Sequence, residues 1–227
     1  MIAWDEPGYV VAFTTRIGGV SEAPYDSLNL TVGTGDDPTR VEENRRIACE
    51  SLGLPYDRLA FNRQIHSPTV HRADAGRRGT PGDGLWTDEP EVPLLAMSAD
   101  CLPIAVASSG TRRRLAVLHA GWRGLSEGVV AAGVAALGDG AKAAVIGPAI
   151  GPCCYRVGSE VATLFDADLT TDGRLDLWTA AERALRRAGV DRVDRIDVCT
   201  RDNPDLYFSH RRDGLARGVQ GVIGAVA

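Results

Sequence analysis

Short apolar runs recur along the chain, and they are of two kinds. Runs rich in β-branched and aromatic residues predict strands over 9–15, 59–65, 69–72, 92–97, 102–107, 115–118, 143–146, 195–199 and 218–226. Apolar residues spaced three and four apart predict helices. One helix starts at Asp37-Pro38, with Asp37 as N-cap and Pro38 in the first turn. Its apolar face is Val41, Ile47, Ala48 and Leu52, and Gly53 is its stop. A small-residue helix is predicted over 125–137, ended by Gly138, and another over 157–165. A fourth covers 176–188, with Leu177, Ala181, Ala184 and Leu185 on one face. Residues 74–84, rich in Gly, Arg and Asp, predict a loop, and Ser108-Ser109-Gly110-Thr111 predicts a hairpin turn. Strands and helices interleave, but hairpins break a strict alternation. The expected fold class is α/β (α+β): one domain over 1–227, with mixed β-sheets flanked by helices.

Composition narrows the function classes. The 227 residues are 44% hydrophobic and 24% charged, enough apolar matter for a sizeable core. A formal charge of −5 argues against a nucleic-acid or membrane-surface binder. The arginine pairs, such as Arg186-Arg187, read as solvated faces. No run approaches the ~18 apolar residues of a membrane helix. The stretch Met1-Ile2-Ala3-Trp4-Asp5 lacks the pattern of a secretory signal, so a cytoplasmic protein with five reduced cysteines is expected.

The candidate chemistry sits where apolar runs break. His66, Cys101 and His119 each fall at a predicted strand end. Two imidazoles and a thiol suit zinc with an open fourth position, where bound water loses a proton near neutral pH. The spacing matches no compact zinc-finger ladder. A cysteine nucleophile is the competing reading: Cys101 attacks, His119 takes its proton, and Asp100 or His66 orients the ring. Anions call for arginine forks. Arg16 beside Gly18-Gly19, Asn44 and Arg45 on the first helix, and Arg123 at a helix start are the candidates. Ser209-His210-Arg211-Arg212-Asp213 is a further polar cluster.

The motifs Phe13-Thr14-Thr15-Arg16-Ile17-Gly18-Gly19, Ser27-Leu28-Asn29-Leu30, Asn44-Arg45, Gln64-Ile65-His66, Ala99-Asp100-Cys101-Leu102-Pro103, His119-Ala120-Gly121-Trp122-Arg123-Gly124 and Gly151-Pro152-Cys153-Cys154-Tyr155 occur in order. Together they make the chain resemble the polyphenol oxidoreductase (laccase-domain) or YfiH-like family over nearly its whole length. The resemblance implies zinc on His66, Cys101 and His119, and a fold shared with a bacterial toxin catalytic domain. It implies phosphorolysis of adenosine, inosine and methylthioadenosine to free base and ribose 1-phosphate, with adenosine deamination as a second activity. The implied partners are nucleoside and phosphate, in a monomer or homodimer. Arg16, Asn44, Arg45 and Arg123 would serve phosphate, and Asp100 would be the nearest carboxyl for acid–base work or for orienting a histidine. Departures from the family pattern at Ser67, Arg156, His210 and Ala216-Arg217-Gly218 touch the pocket rim. Copper is a possible substitute for zinc. Four histidines are too few for a multicopper oxidase centre. The alternatives are a cysteine-dependent peptidoglycan-editing amide hydrolase, a copper-dependent polyphenol oxidase and a non-enzymatic binding domain.

Overall fold

The computed structural model describes residues 1–110 and 112–227. Its strands are β1 (Ile2–Trp4), β2 (Tyr9–Phe13), β3 (Ala60–Arg63), β4 (Val70–Arg72), β5 (Arg78–Pro81), β6 (Gly84–Thr87), β7 (Leu94–Ser98), β8 (Leu102–Ser109), β9 (Arg113–Ala120), β10 (Lys142–Ile146), β11 (Thr170–Thr171), β12 (Arg174–Leu175), β13 (Arg192–Arg195) and β14 (Gln220–Val226). Its α-helices are α1 (Pro38–Glu50), α2 (Trp122–Glu127), α3 (Val129–Ala136), α4 (Ser159–Ala162), α5 (Leu177–Arg187) and α6 (His210–Asp213).

Two six-stranded sheets stack face to face, in the orders β1-β2-β14-β7-β3-β5 and β13-β10-β8-β9-β6-β4. Both are mixed: β14 runs antiparallel to β2 and β7, while β3 runs parallel to β7 and β5. The period of two along each strand sorts side chains into layers. On β8, Ala105 and Ala107 enter the layer between the sheets, while Leu102, Ile104 and Val106 face the helices. On β9, Leu115 and Val117 point inward, and Ala116 and Leu118 point out to the helix side, where α3 covers the strand. On β14, Val222 and Val226 meet the opposite sheet, while Ile223 and Ala225 join Ala48 and Cys49 of α1 in a third cluster. The result is four layers, helix, sheet, sheet, helices. Strands buried on both faces read as unbroken apolar runs, as the sequence shows.

Capping follows the sequence reading. Asp37 accepts from the Thr39 amide at 2.8 Å with Pro38 opening α1, and Asp176 accepts from the Thr179 amide at 3.0 Å ahead of α5. The hairpin between β8 and β9 stands, since Ser109 pairs with Arg113. Thr111 of its turn lies outside the described residues. Four expectations are corrected. Residues 74–84 hold β5, built by parallel pairing with β3 rather than by an apolar pattern. The helix expected over 125–137 is two helices, because Gly128 adopts φ 98° and separates α2 from α3. The helix expected over 157–165 shrinks to the single turn α4. The strand expected over 195–199 is shifted to Arg192–Arg195, where it pairs with β10, and Cys199 keeps one bridge to Ala149. Among the described residues no helix is long and apolar enough to cross a membrane.

Leu115 is wholly buried in the layer between the sheets. Leu115→Ala is expected to lower stability by about 2–5 kcal/mol, read as the shift in a urea unfolding midpoint.

Candidate metal centre

The centre is organised by a carboxylate. His66 lies in the turn between β3 and β4 with φ 60°, a left-handed conformation that is strained for a residue with a side chain. Asp83, between Gly82 and Gly84 just before β6, holds that turn. Its oxygens accept from the amides of Ile65 at 3.2 Å, His66 at 3.0 Å and Ser67 at 2.6 Å, and from the Ser67 hydroxyl at 2.9 Å. Three successive N–H groups around one anion form a nest. The same carboxylate accepts from His119 Nδ1 at 2.9 Å, and the Asp83 carbonyl accepts from the His119 amide at 2.7 Å. That partner fixes the His119 ring and leaves Nε2 for the thiol side.

The register of β8 and β9 supplies the sulfur. Leu102 pairs with Ala120, which brings Cys101 across from Gly121. Cys101 Sγ lies 3.9 Å from His66 Nε2, and the two imidazole rings meet edge-on with centroids 4.8 Å apart. One ligand atom from each of His66, Cys101 and His119 lies within 4.8 Å of the others. A Cβ on Gly121 would stand 2.9 Å from both Cys101 Sγ and His66 Cδ2. Only glycine leaves the sulfur and the ring in place there.

Electrostatics set the protonation. Burial pushes the Cys101 thiol up, but the His119 imidazolium and hydrogen bonds from both histidines outweigh it and hold the thiol below its ordinary value. Burial pushes His119 down, while the Cys101 thiolate and the Asp83 carboxylate together raise it above the usual imidazole range. Burial likewise raises Asp83, yet the bonds from His119 and Ser67 keep it ionised well below the usual carboxylate range. Two imidazoles and a thiolate, one ring backed by a carboxylate, fit a borderline divalent metal such as zinc.

The trio borders a cavity of about 670 Å³. Phe61, Met97 and Val219 give it apolar walls, and Arg45, Arg63 and Arg217 give it cations. Arg217 is notable because its Nε is buried without a partner among the described residues, while its Nη1 donates to the Gly214 and Leu215 carbonyls. Of the four expected anion donors, Arg45 lines this cavity, its guanidinium stacked 4.2 Å from the Phe61 ring and paired with Glu42. The Arg16 guanidinium instead ties a loop, donating to the carbonyls of Asp26 and Pro204, beside a separate hollow. Asn44 is wholly buried, and its amide is spent on Val20, Ser21 and Asn29. Arg123 is exposed, folded over Trp122 at 4.0 Å. Asp100 does not orient a histidine. With φ 87°, it accepts from Thr200 Oγ1 and the Arg211 amide, both at 2.7 Å, and so fixes the residue before Cys101. His71 turns to the Pro81 carbonyl and His210 to the Gly214 carbonyl.

Asp83, Arg63 and the placement of Arg217 escaped the sequence reading. The signal for Asp83 was there, a lone acid between glycines directly before the apolar pair Leu85-Trp86.

Comparison with known proteins agrees with this architecture. The family model for multi-copper polyphenol oxidoreductase laccase matches residues 10–226. A purine nucleoside phosphorylase of Pseudomonas aeruginosa is 41% identical, covering 92% of this chain and 90% of its own. The Escherichia coli purine nucleoside phosphorylase YfiH is 37% identical, over 92% and 91%. Two crystal structures superpose along the whole chain. YlmD of Geobacillus stearothermophilus gives a TM-score of 0.90 at 32% identity, covering 100% of this chain and 99% of its own. A Neisseria meningitidis DUF152 protein gives 0.89 at 36%, covering 100% and 98%. With a match this long and relatives this similar, the chain belongs to the multi-copper polyphenol oxidoreductase laccase family.

Proposed function

We propose that the chain is a metal-dependent purine nucleoside phosphorylase. Adenosine, inosine or methylthioadenosine would react with phosphate to give the free base and ribose 1-phosphate, with adenosine deamination as a side activity in the same cavity. One observation carries this reading: His66, Cys101 and His119 converge on the wall of a cavity whose size and mixed apolar and cationic lining suit a nucleoside beside an anion. The names of the relatives support the same reaction. A zinc ion held by the three side chains would supply Lewis-acid polarisation of the substrate, and copper fits the same donors.

The chain's own residues then divide the work. Asp83 keeps His119 turned to the metal and His66 in its strained turn. Asp100 is a positioning residue, holding the backbone that carries Cys101. Phe61, Met97 and Val219 exclude water from the base and ribose. Arg217, with its free Nε, and Arg63 hold phosphate, while Arg45 shapes the wall beside them. Phosphate oxygen bonds to the anomeric carbon as the bond to the purine nitrogen breaks. The arginines keep the nucleophile in line, and its charge beside the oxocarbenium-like transition state lowers the barrier. Arg123 lies outside the cavity lining and takes no part in this assignment.

A second reading has its own observation. Cys101, His119 and Asp83 form a thiolate, imidazolium and carboxylate series, the arrangement of a cysteine-dependent amide hydrolase. Chelation separates the two, since only the metal-dependent phosphorylase stops.

Cys101→Ala and His119→Ala are each expected to lose the metal equivalent held by the trio, by elemental analysis against the wild type, and phosphate-dependent release of hypoxanthine from inosine, by at least about 100-fold, with an unchanged circular dichroism spectrum. Full turnover in Cys101→Ala overturns the proposal. Asp83→Asn is expected to weaken metal binding about 10–100-fold in competition with a chromophoric chelator. Arg217→Ala is expected to raise the KM for phosphate about 10-fold or more, the worth of one charged hydrogen bond, while the KM for inosine moves little.

A further inference from the structure

A second group of metal-ligating side chains stands apart from the trio. Cys153 and Cys154 lie in the tight turn after β10, and Cys199 and Asp202 lie in the loop after β13. One ligand atom from each of the four falls within 4.8 Å of the other three. Donors 2.3 Å from a tetrahedral ion stand about 3.8 Å apart, so small side-chain rotations complete such a shell. The sulfurs already converge on the carboxylate: Cys153 donates to Asp202 Oδ2 at 3.2 Å and Cys154 to Oδ1 at 3.0 Å.

The surroundings hold this arrangement. The bridge between Ala149 and Cys199 ties the two loops together. The Gly151 amide donates to Cys199 Sγ at 3.3 Å and fixes the sulfur over the turn. Asn203 fastens the Cys199 carbonyl at 2.8 Å, and Arg212 fastens those of Thr200 and Arg201. A Cβ on Gly151 would meet the Trp178 ring at 2.8 Å, so the turn packs closely on α5. Cys199 is buried at the floor, while Cys153 and Asp202 are open to solvent, which gives an ion a route in.

We propose that Cys153, Cys154, Cys199 and Asp202 form a second metal site, for a thiophilic divalent ion of the zinc class. Metal binding releases the thiol protons to solvent, including the two that Cys153 and Cys154 donate to Asp202, and a carboxylate oxygen freed of those bonds becomes the fourth donor. The sulfur-rich set is softer than the two-imidazole trio and closed by four protein ligands, the mark of a structural rather than a reactive site. It locks the loop that carries Thr200, and through Thr200 the carboxylate of Asp100.

The test uses the full chain, reduced and stripped of metal, then titrated with Cd²⁺ while thiolate-to-metal charge transfer is followed in the ultraviolet. The wild type should take up two equivalents. Cys153→Ser/Cys154→Ser should take up one and lose roughly three-quarters of the absorbance, because the second site holds three of the four ligating sulfurs. Cys101→Ala should keep the strongly absorbing equivalent. Asp202→Asn, at an exposed position, should weaken that equivalent about 10-fold or more. If the wild type binds one equivalent that the double variant loses and Cys101→Ala keeps, the second site stands and the trio's metal does not. If the double variant binds as many equivalents as the wild type, or Asp202→Asn leaves affinity unchanged, the proposal is overturned.

Discussion

Everything at the centre depends on one ionised carboxylate. Asp83 satisfies three consecutive backbone amides and one imidazole at once. The amides stabilise a left-handed turn that His66 would otherwise leave, and the imidazole bond aims His119 from a strand on the other side. Both histidines therefore take their positions from a single anion. Neutralising it would free the turn and the ring together, so the two histidines are coupled through one carboxylate.

The four-layer sandwich explains why the sulfur of Cys101 meets the two imidazoles. Inward and outward side chains alternate along β8 and β9, and the antiparallel register sets Cys101 level with Gly121. Small residues, Ala105 and Ala107 on β8 and Gly224 on β14, let the sheets approach closely. A Cβ on Gly224 would press on Leu115 at 2.8 Å. The rigid sheet pair fixes the distance between sulfur and imidazoles, while loops form the rim that decides what enters.

Much of this was legible in the sequence, because its cause is local. The runs 102–107 and 115–118 declare buried strands, and Asp37-Pro38 and Asp176 declare helix starts through their own caps. His66, Cys101 and His119 could be singled out because each polar side chain interrupts an apolar run. Long-range pairing hid the rest. Arg78–Pro81 becomes a strand only because β3 lies beside it, and nothing in Arg-Gly-Thr-Pro announces that. Asp83 looked like a loop acid until the fold folded residues 65–67 around it. Arg16 and Asn44 carry the residue types of an anion site but spend their donors on nearby loop groups, Asp26 and Pro204 for one, Ser21 and Asn29 for the other. Type and spacing do not reveal that commitment.

The position of β14 carries a consequence for biosynthesis. Residues 220–226 lie between β2 and β7, each more than a hundred residues earlier in the chain. A ribosome releases those two strands long before the one that joins them. Half of the first sheet must wait with open edges, and the wall that Arg217 and Val219 lend to the cavity is assembled in the same late event. A nascent chain stalled before residue 220 would hold His66, Cys101 and His119 in sequence yet lack the compartment around them.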